Sequence, residues 1–177
     1  MNAPQRSAEW FAERAGCVTA SRVADVIAKT KTGPSASRQN YLAQLVAERL
    51  TGQPQESFSN AAMQWGADTE PFARAAYEMT IDDMVTEVGF VKHPAIAFSG
   101  ASPDGLVSDG LVEIKCPNTA THIEYMLNAE VPAKYKPQMA WQLACTGRKW
   151  CDFVSFDPRM PDEFRLFVIR YEPDSDY

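Results

Sequence analysis

Three residues of the chain have types and spacing that could do chemistry together. Asp104 stands in Ser102-Pro103-Asp104-Gly105, and Glu113 and Lys115 stand in Leu111-Val112-Glu113-Ile114-Lys115-Cys116-Pro117. Side chains alternate along a strand, so Glu113 and Lys115 project from one face, and Val112, Ile114 and Cys116 from the other. The apolar face belongs to a core, and the charged face to water or to a polar site. Leu106-Val107, the Ser108-Asp109-Gly110 turn and Leu111 to Cys116 read as a hairpin that Pro117 ends, which can bring Asp104 beside Glu113. This set suits phosphodiester cleavage. Two carboxylates hold a hard cation such as Mg²⁺ together with a backbone carbonyl and waters. The cation polarises the phosphate, lowers the pKa of bound water and stabilises the leaving oxygen. A lysine beside it can orient or deprotonate the attacking water, or neutralise the phosphorane. The alternative is an ordinary exposed strand, on which Glu-x-Lys is common; Pro-Asp-Gly at hairpin distance is what favours chemistry.

Such a trio needs a scaffold. Ser7 can cap a first helix over Ala8 to Ala15, which Gly16 ends. Thr19 or Ser21 opens a second, to about Lys29. Thr30 to Ser37 reads as an exposed, mobile loop. Ser37 or Asn40 then opens a helix with apolar residues Tyr41, Leu42, Leu45, Val46 and Leu50, stopping at Gly52. Gln53 to Ser59 is a loop, and Asn60 begins a long helix to about Met79. Met84 to Val91 and Ala95 to Phe98 read as strands ahead of the hairpin. Helical patterns return at Thr121 to Asn128 and Lys134 to Thr146, and Cys151 to Phe156 and Phe164 to Tyr171 read as closing strands. The order implies an α+β or mixed α/β fold with a central sheet flanked by helices.

Composition bounds the class. A length of 177 residues argues for one domain over residues 1–177. With 45% hydrophobic and 23% charged residues, a core can form without staples. No apolar run is long enough for a membrane span. The segment Met1 to Arg14 is polar and has no apolar h-region, so the expected compartment is the cytoplasm. The four cysteines, Cys17, Cys116, Cys145 and Cys151, form no CxxC pair, and there are two histidines, so a zinc site is disfavoured. Reduced, mostly buried thiols are expected. A net charge of −6 runs against nucleic-acid binding taken alone. Carboxylates concentrated at a metal site soften that objection, because the bound cation reverses the local sign. So do basic clusters at Lys29, Lys31 and Arg38 and at Lys134, Lys136, Arg148 and Lys149.

Three blocks, in order, resemble the phage lambda exonuclease family, the YqaJ-like viral recombinases of the PD-(D/E)xK nuclease superfamily. They are Arg14-Ala15-Gly16-Cys17-Val18-Thr19-Ala20-Ser21; Ser102 to Gly105 with Glu113 to Pro117; and Tyr135-Lys136-Pro137-Gln138-Met139-Ala140-Trp141-Gln142 with Phe156-Asp157-Pro158-Arg159-Met160. A weaker block is Trp65-Gly66-Ala67-Asp68-Thr69-Glu70. The likeness runs from about Trp10 to Glu172. It implies a restriction-endonuclease-like core and a Mg²⁺-dependent 5′→3′ exonuclease on linear duplex DNA, leaving a 3′ single-stranded tail for a strand-annealing partner. By the match, Asp104, Glu113 and the backbone carbonyl of Ile114 bind metal, Lys115 serves the nucleophilic water, and Glu70 completes the site. Two Mg²⁺ per site are implied, with Mn²⁺ an option. Arg14, Ser21, Ser102 and Gln138 correspond to positions gripping the 5′-phosphate, and Tyr135 to a site or DNA contact. The resemblance also implies a homotrimer, and a phage or prophage protein acting in the cytoplasm of a bacterial host.

Several of these have a second reading. Ser21 can be a helix cap, Glu70 can pair with Arg74 at i, i+4, and Arg14 can be a surface ion pair. Met63 and Trp65 could wedge into a duplex end, with core packing the alternative for Trp65. The chain departs from the family in ending at Tyr177, soon after the last expected strand, where relatives often continue in helix. Pro137 stands inside the Tyr-x-x-Gln motif, which suits the first turn of a helix starting near Lys134. Two other functions compete: an endonuclease of the restriction or junction-resolving type on the same core, and a catalytically inactive DNA-end-binding module.

Overall fold

Polar caps fix where the main helices begin. Ser7, Ser35, Asn60 and Asn118 each accept, through the side-chain oxygen, the backbone N–H three residues on. In a computed structural model, residues 3–31, 33–55 and 60–173 are described. In chain order the elements are α1 (Ala8–Arg14), β1 (Val18–Thr19), a 3-10 turn (Ala20–Arg22), α2 (Val23–Ile27), β2 (Lys29–Thr30), β3 (Gly33–Pro34) and α3 (Ala36–Thr51). Then come α4 (Ala61–Ile81), β4 (Val91–Lys92), β5 (Ser99–Ala101), β6 (Gly105–Val107) and β7 (Gly110–Lys115). The last are α5 (Thr119–Asn128), a 3-10 turn (Ala133–Tyr135), α6 (Lys136–Thr146), β8 (Cys151–Phe156), a 3-10 turn (Asp162–Phe164) and β9 (Leu166–Tyr171).

The chain divides into two compact units. One comprises Phe58–Glu87, Pro103–Lys136 and Arg148–Tyr177. Its sheet runs β6-β7-β8-β9 and is mixed, with β7 and β8 parallel and the outer pairs antiparallel. On one face, Val112 and Ile114 of β7 and Val154 and Phe156 of β8 pack against Ala73 and Tyr77 of α4. The Tyr77 hydroxyl, inside this core, donates to Asp152 at 2.8 Å, and Arg170 grips the same carboxylate from β9 at 2.8 and 3.0 Å. That satisfies a charge which would otherwise be costly to bury. The opposite face carries Glu113 and Lys115, in register with Phe153 and Ser155. Helix α5 covers part of it: the His122 ring nitrogens bond Ser155 Oγ at 2.7 Å and the Phe164 carbonyl at 2.8 Å, and Tyr125 meets Phe153 edge-on.

The other unit comprises Met1–Ser57, Val88–Ser102 and Pro137–Gly147. Its main sheet runs β1-β5-β4, with β1 parallel to β5 and β4 antiparallel to it. Ala20, Ala101 and Cys145 form a small core with Trp141, whose indole N–H donates to the Gly100 carbonyl. The pairing of Val18 with Ser99 and Thr19 with Gly100 lays the Arg14–Ser21 segment beside Ser99–Ser102.

Mixed helices and strands around a central mixed sheet are what the sequence predicts, but several elements differ. Of the strand expected over Met84 to Val91, only Val91 extends into β4, while Thr86 makes an isolated bridge to Leu106. The Val85 N–H goes to the Glu78 side chain instead of to a ladder. Ala95 to Phe98 is a turn. His93 Nδ1 accepts the N–H groups of Ala95 and Ile96, Phe98 is left-handed (φ 55), and the strand starts at Ser99. The second helix splits into a 3-10 turn and α2. The Thr30 to Ser37 loop holds the β2–β3 ribbon, and Ser35 caps α3 in place of Ser37 or Asn40. On α3 the buried face is Tyr41, Leu45 and Glu48, whereas Leu42, Val46 and Leu50 are exposed. Phe164 belongs to a 3-10 turn, so β9 begins later than expected. The last four residues of the expected Gln53 to Ser59 loop lie outside the described residues. All four cysteines are free, with Cys145 and Cys151 buried. Among the described residues, no helix is long and apolar enough to cross a membrane.

Candidate active site

The hairpin of β6 and β7 builds the site. Gly105 pairs with Val112, so Asp104 is the next residue out, opposite Glu113. Gly105 is required by space: a Cβ there would lie 2.0 Å from Val85 Cγ1. Leu106 exchanges both backbone bonds with Thr86, so Gly105 turns its own groups towards β7. By the same alternation Val112 and Ile114 face the β6 side, while Leu111 faces β8, its N–H donating to the Trp150 carbonyl. Beyond the end of β6, Asp104 Oδ2 takes over as acceptor for the Ile114 N–H at 2.6 Å. In an extended strand a residue's carbonyl points to the same edge as its N–H. The Ile114 carbonyl is therefore aimed at the edge where Asp104 stands.

Glu113 is 1% exposed, and Lys115 Nζ forms an ion pair with its Oε1. The ammonium lies 5.2 Å from the Tyr135 ring centroid, and Tyr135 stacks on Phe153 with centroids 5.4 Å apart. Burial pushes the Asp104 carboxyl well above the usual carboxylate range, with repulsion from Glu113 adding to it and the Lys115 charge and the Ile114 N–H opposing. Burial alone would lower the Lys115 pKa, but Glu113 and Asp104 outweigh it and keep the ammonium protonated beyond its ordinary value. The pocket thus holds more negative charge than one lysine relieves comfortably.

Glu70 on α4 contributes to the field at Asp104, but its Oε1 is bonded to Arg74 Nη2 at 3.1 Å, the i, i+4 pair open in the sequence. Arg74 also pairs with Glu87. Among the described residues, no three acidic, histidine or cysteine side chains converge as a ready-made metal cage. Two carboxylates and a backbone carbonyl still fit Mg²⁺ or Mn²⁺, hard cations that keep several waters and share substrate oxygens. The placement of Asp104 opposite Glu113 is the observation in favour, because a cation between the two carboxylates would remove their repulsion.

A second cluster gathers Arg14, Ser102 and Trp10. Ser102 Oγ accepts from Arg14 Nη1 at 3.1 Å and from Trp10 Nε1 at 2.9 Å, and the guanidinium lies over the indole, 3.9 Å from its centroid. Burial lowers the Arg14 pKa from its ordinary value. Among the described residues Arg14 makes no ion pair; it is a stacked, half-buried cation. Trp10 is the residue missed in the sequence. Its signal was the i, i+4 spacing to Arg14, which puts both on one face of α1. Ser21 caps no helix; it lies exposed in the 3-10 turn, its Oγ 3.4 Å from Thr19 Oγ1. Gln138 is half-buried on the first turn of α6. Trp65 is half-buried beneath the Arg159 guanidinium, and Met63 is exposed.

The profile of the YqaJ-like viral recombinase domain matches residues 9–149. No curated protein sequence matches the chain. Two crystal structures of LHK-Exo, described as an alkaline exonuclease from Laribacter hongkongensis, are 56% identical to it. They match over 96% of this chain and 84% of theirs, with TM-scores of 0.88 for the complex with dAMP and 0.87 for the other. A phage-related exonuclease from Haemophilus somnus 129PT shares the fold at 15% identity, with a TM-score of 0.70 over 90% of this chain and 86% of that one.

Proposed function

The chain belongs to the YqaJ-like viral recombinase family, and on that premise we propose that it is a Mg²⁺-dependent 5′→3′ exonuclease acting on the ends of linear duplex DNA. The coarser statement, a nuclease role, rests on the family and on the likeness to LHK-Exo. The finer reading is supported above all by Asp104 and Glu113 facing each other across the end of the β6–β7 hairpin with Lys115 on Glu113. Asp104, Glu113 and the Ile114 carbonyl would hold the metal, which supplies Lewis acidity to the phosphate and acidifies a bound water. Lys115, kept protonated, donates to the attacking water or to the charge developing on the phosphoryl oxygens. The Ile114 N–H holds Asp104 in place, and Tyr135 limits where the lysine can swing. Glu70 is available to the water once it leaves Arg74.

Arg14 and Ser102, with Ser21 and Gln138, take the 5′-phosphate in this reading. A stacked guanidinium with a hydroxyl at its edge suits a phosphate fork. The 3′ tail would pass to a single-strand annealing protein, and the active form would be a homotrimer in the cytoplasm of a bacterial host. An endonuclease on the same core and an inactive end-binding module are the competing readings.

The deciding experiment incubates 5′-phosphorylated linear duplex and closed-circular plasmid with the protein, with Mg²⁺ and with EDTA. Loss of the linear DNA only with Mg²⁺, the circle intact, is expected. Cleavage of the circle moves the chain to the endonuclease reading, and no cleavage of either to the inactive module.

A further inference from the structure

The block Phe156-Asp157-Pro158-Arg159-Met160 has no part in the chemistry above, yet it builds a rigid cation. Asp157 is fully buried at the end of β8. Its Oδ1 accepts the Arg159 backbone N–H at 3.0 Å and Arg159 Nε at 2.7 Å, and its Oδ2 accepts Arg159 Nη2 at 2.9 Å and the Thr119 hydroxyl at 2.6 Å. Arg159 Nη2 also leans on the Pro117 carbonyl at 3.4 Å. The flat of the guanidinium lies over Trp65 of α4, 4.7 Å from the ring centroid. Carboxylate, carbonyl and indole thus fix its orientation.

One edge is left over. Among the described residues Arg159 Nη1 makes no hydrogen bond, and the side chain is 48% exposed. A pre-oriented guanidinium gives up little side-chain freedom when it binds, and its free N–H groups match phosphate oxygens. Its place is also informative. Lys115 of β7 is in register with Ser155 of β8, and Pro117 and Asp157 each follow by two residues. Arg159 therefore stands beyond the carboxyl ends of these parallel strands, the end at which Lys115 lies and at which open α/β sheets take ligands.

We propose that Arg159, stacked on Trp65 and braced by Asp157, contacts a backbone phosphate of the DNA strand that enters the Asp104–Glu113–Lys115 site. This rests on the nuclease reading. It gives an acidic chain a phosphate contact beside its carboxylates.

Removing Arg159 alone would strand the buried Asp157 charge, so the test uses Arg159→Lys and the double variant Asp157→Asn/Arg159→Gln, with Asp157→Asn as reference. Affinity for a short linear duplex is measured in EDTA over a range of salt, apart from cleavage, and kcat and KM are measured with Mg²⁺. For the double variant against its reference, Kd and KM should rise about tenfold, the loss of a hydrogen bond to a charged group. The salt slope should fall by about 0.9, one phosphate contact. The kcat should hold within about twofold, since uniform binding is what is lost. Arg159→Lys should keep the slope and lose part of the affinity, because an ammonium lacks the fork. A folded double variant with its reference's Kd and salt slope overturns the proposal. So does a fall in kcat with KM unchanged, or Arg159→Lys matching the parent if the double variant does not fold. Failure of the nuclease reading appears separately, as a parent protein that binds duplex in EDTA but digests none with Mg²⁺.

Discussion

Asp104 Oδ2 accepts the backbone N–H of Ile114 at 2.6 Å, so the carboxylate that opens the site is held by the strand that carries Glu113 and Lys115. The bond continues the β6–β7 ladder with a side chain where the β6 backbone has ended. An amide there could still accept this N–H, but it could not provide a charged metal ligand. Asp104→Asn should therefore fold with the parent's melting temperature or above, since one buried negative charge beside Glu113 is removed. Mg²⁺-dependent cleavage should fall by at least about 100-fold, as when a group stabilising transition-state charge is lost. Thermal melts with and without Mg²⁺, beside a cleavage time course, check both halves. A variant that melts early but cleaves at the parent's rate would reverse the assignment.

Lys115 has two roles to separate. It pairs with Glu113, which is 1% exposed, and in the proposed reaction it serves the attacking water. Lys115→Ala should abolish cleavage while leaving Mg²⁺ and DNA-end binding close to the parent's. It should also lower stability by roughly 3–5 kcal/mol without metal, the cost of removing the ion-pair partner of a buried charge. Mg²⁺ should add about as much stability to the variant as to the parent, because a ligand bound with the same affinity stabilises both equally. Titration calorimetry and melts across Mg²⁺ concentration test this. Cleavage at the parent's rate would remove the lysine from the mechanism.

The same residues show what was legible in the sequence. Glu113, Lys115 and Asp104 could be placed because a strand's two-residue period and a short hairpin are local rules. Ser7, Asn60 and Gly52 marked helix ends for the same reason. What escaped was tertiary. Val85 gives its N–H to Glu78, which ends a strand that the alternation of Met84 to Val91 suggested. Leu42, Val46 and Leu50 look like a core face, but the buried side of α3 includes a charged residue, Glu48. Glu48 is buried because it accepts N–H groups from Gly16 and Gln55, partners that no periodicity announces. Trp10 escaped because its role comes from Ser102, far along the chain.

Arg14 carries a prediction about DNA ends. The guanidinium is stacked on Trp10 and bonded to Ser102, an arrangement suited to a dianionic terminal phosphate. Duplex with 5′-phosphate ends should be degraded faster than duplex with 5′-hydroxyl ends. Arg14→Ala should reduce that preference by about tenfold, the worth of a charge-assisted hydrogen bond, with the rate on 5′-hydroxyl ends nearly unchanged. Initial rates on the two substrates give the ratio directly. Equal rates in the parent would leave the cluster without this role.

Glu48 and Arg49 hold the loop that follows Arg14. Glu48 Oε2 accepts the Gly16 N–H at 2.7 Å, and Arg49 Nε donates to the Gly16 carbonyl at 2.8 Å. Gly16 is left-handed (φ 70), and a Cβ there would lie 2.5 Å from Arg49 Cγ. Gly16→Ala should therefore cost more than the roughly 1 kcal/mol typical of glycine replacement at such an angle. Burial by itself would raise the Glu48 carboxyl, but hydrogen bonds from Gln44, Gly16 and Gln55 outweigh it and hold the group below its ordinary 4.5. A pKa lower in the folded than in the unfolded chain adds stability above the unfolded value, and that stability is lost as pH falls through the folded one. Glu48→Gln, which keeps one acceptor but loses the charge, should be less stable than the parent near neutral pH by roughly 1–3 kcal/mol. The gap should close as pH falls below the ordinary 4.5 and through the lower folded value, where the parent's carboxylate also takes up a proton. Denaturant melts of the two proteins across acid pH measure the gap, and a difference that stayed constant from neutral to acid would show that the charge of Glu48 has no part in holding the loop.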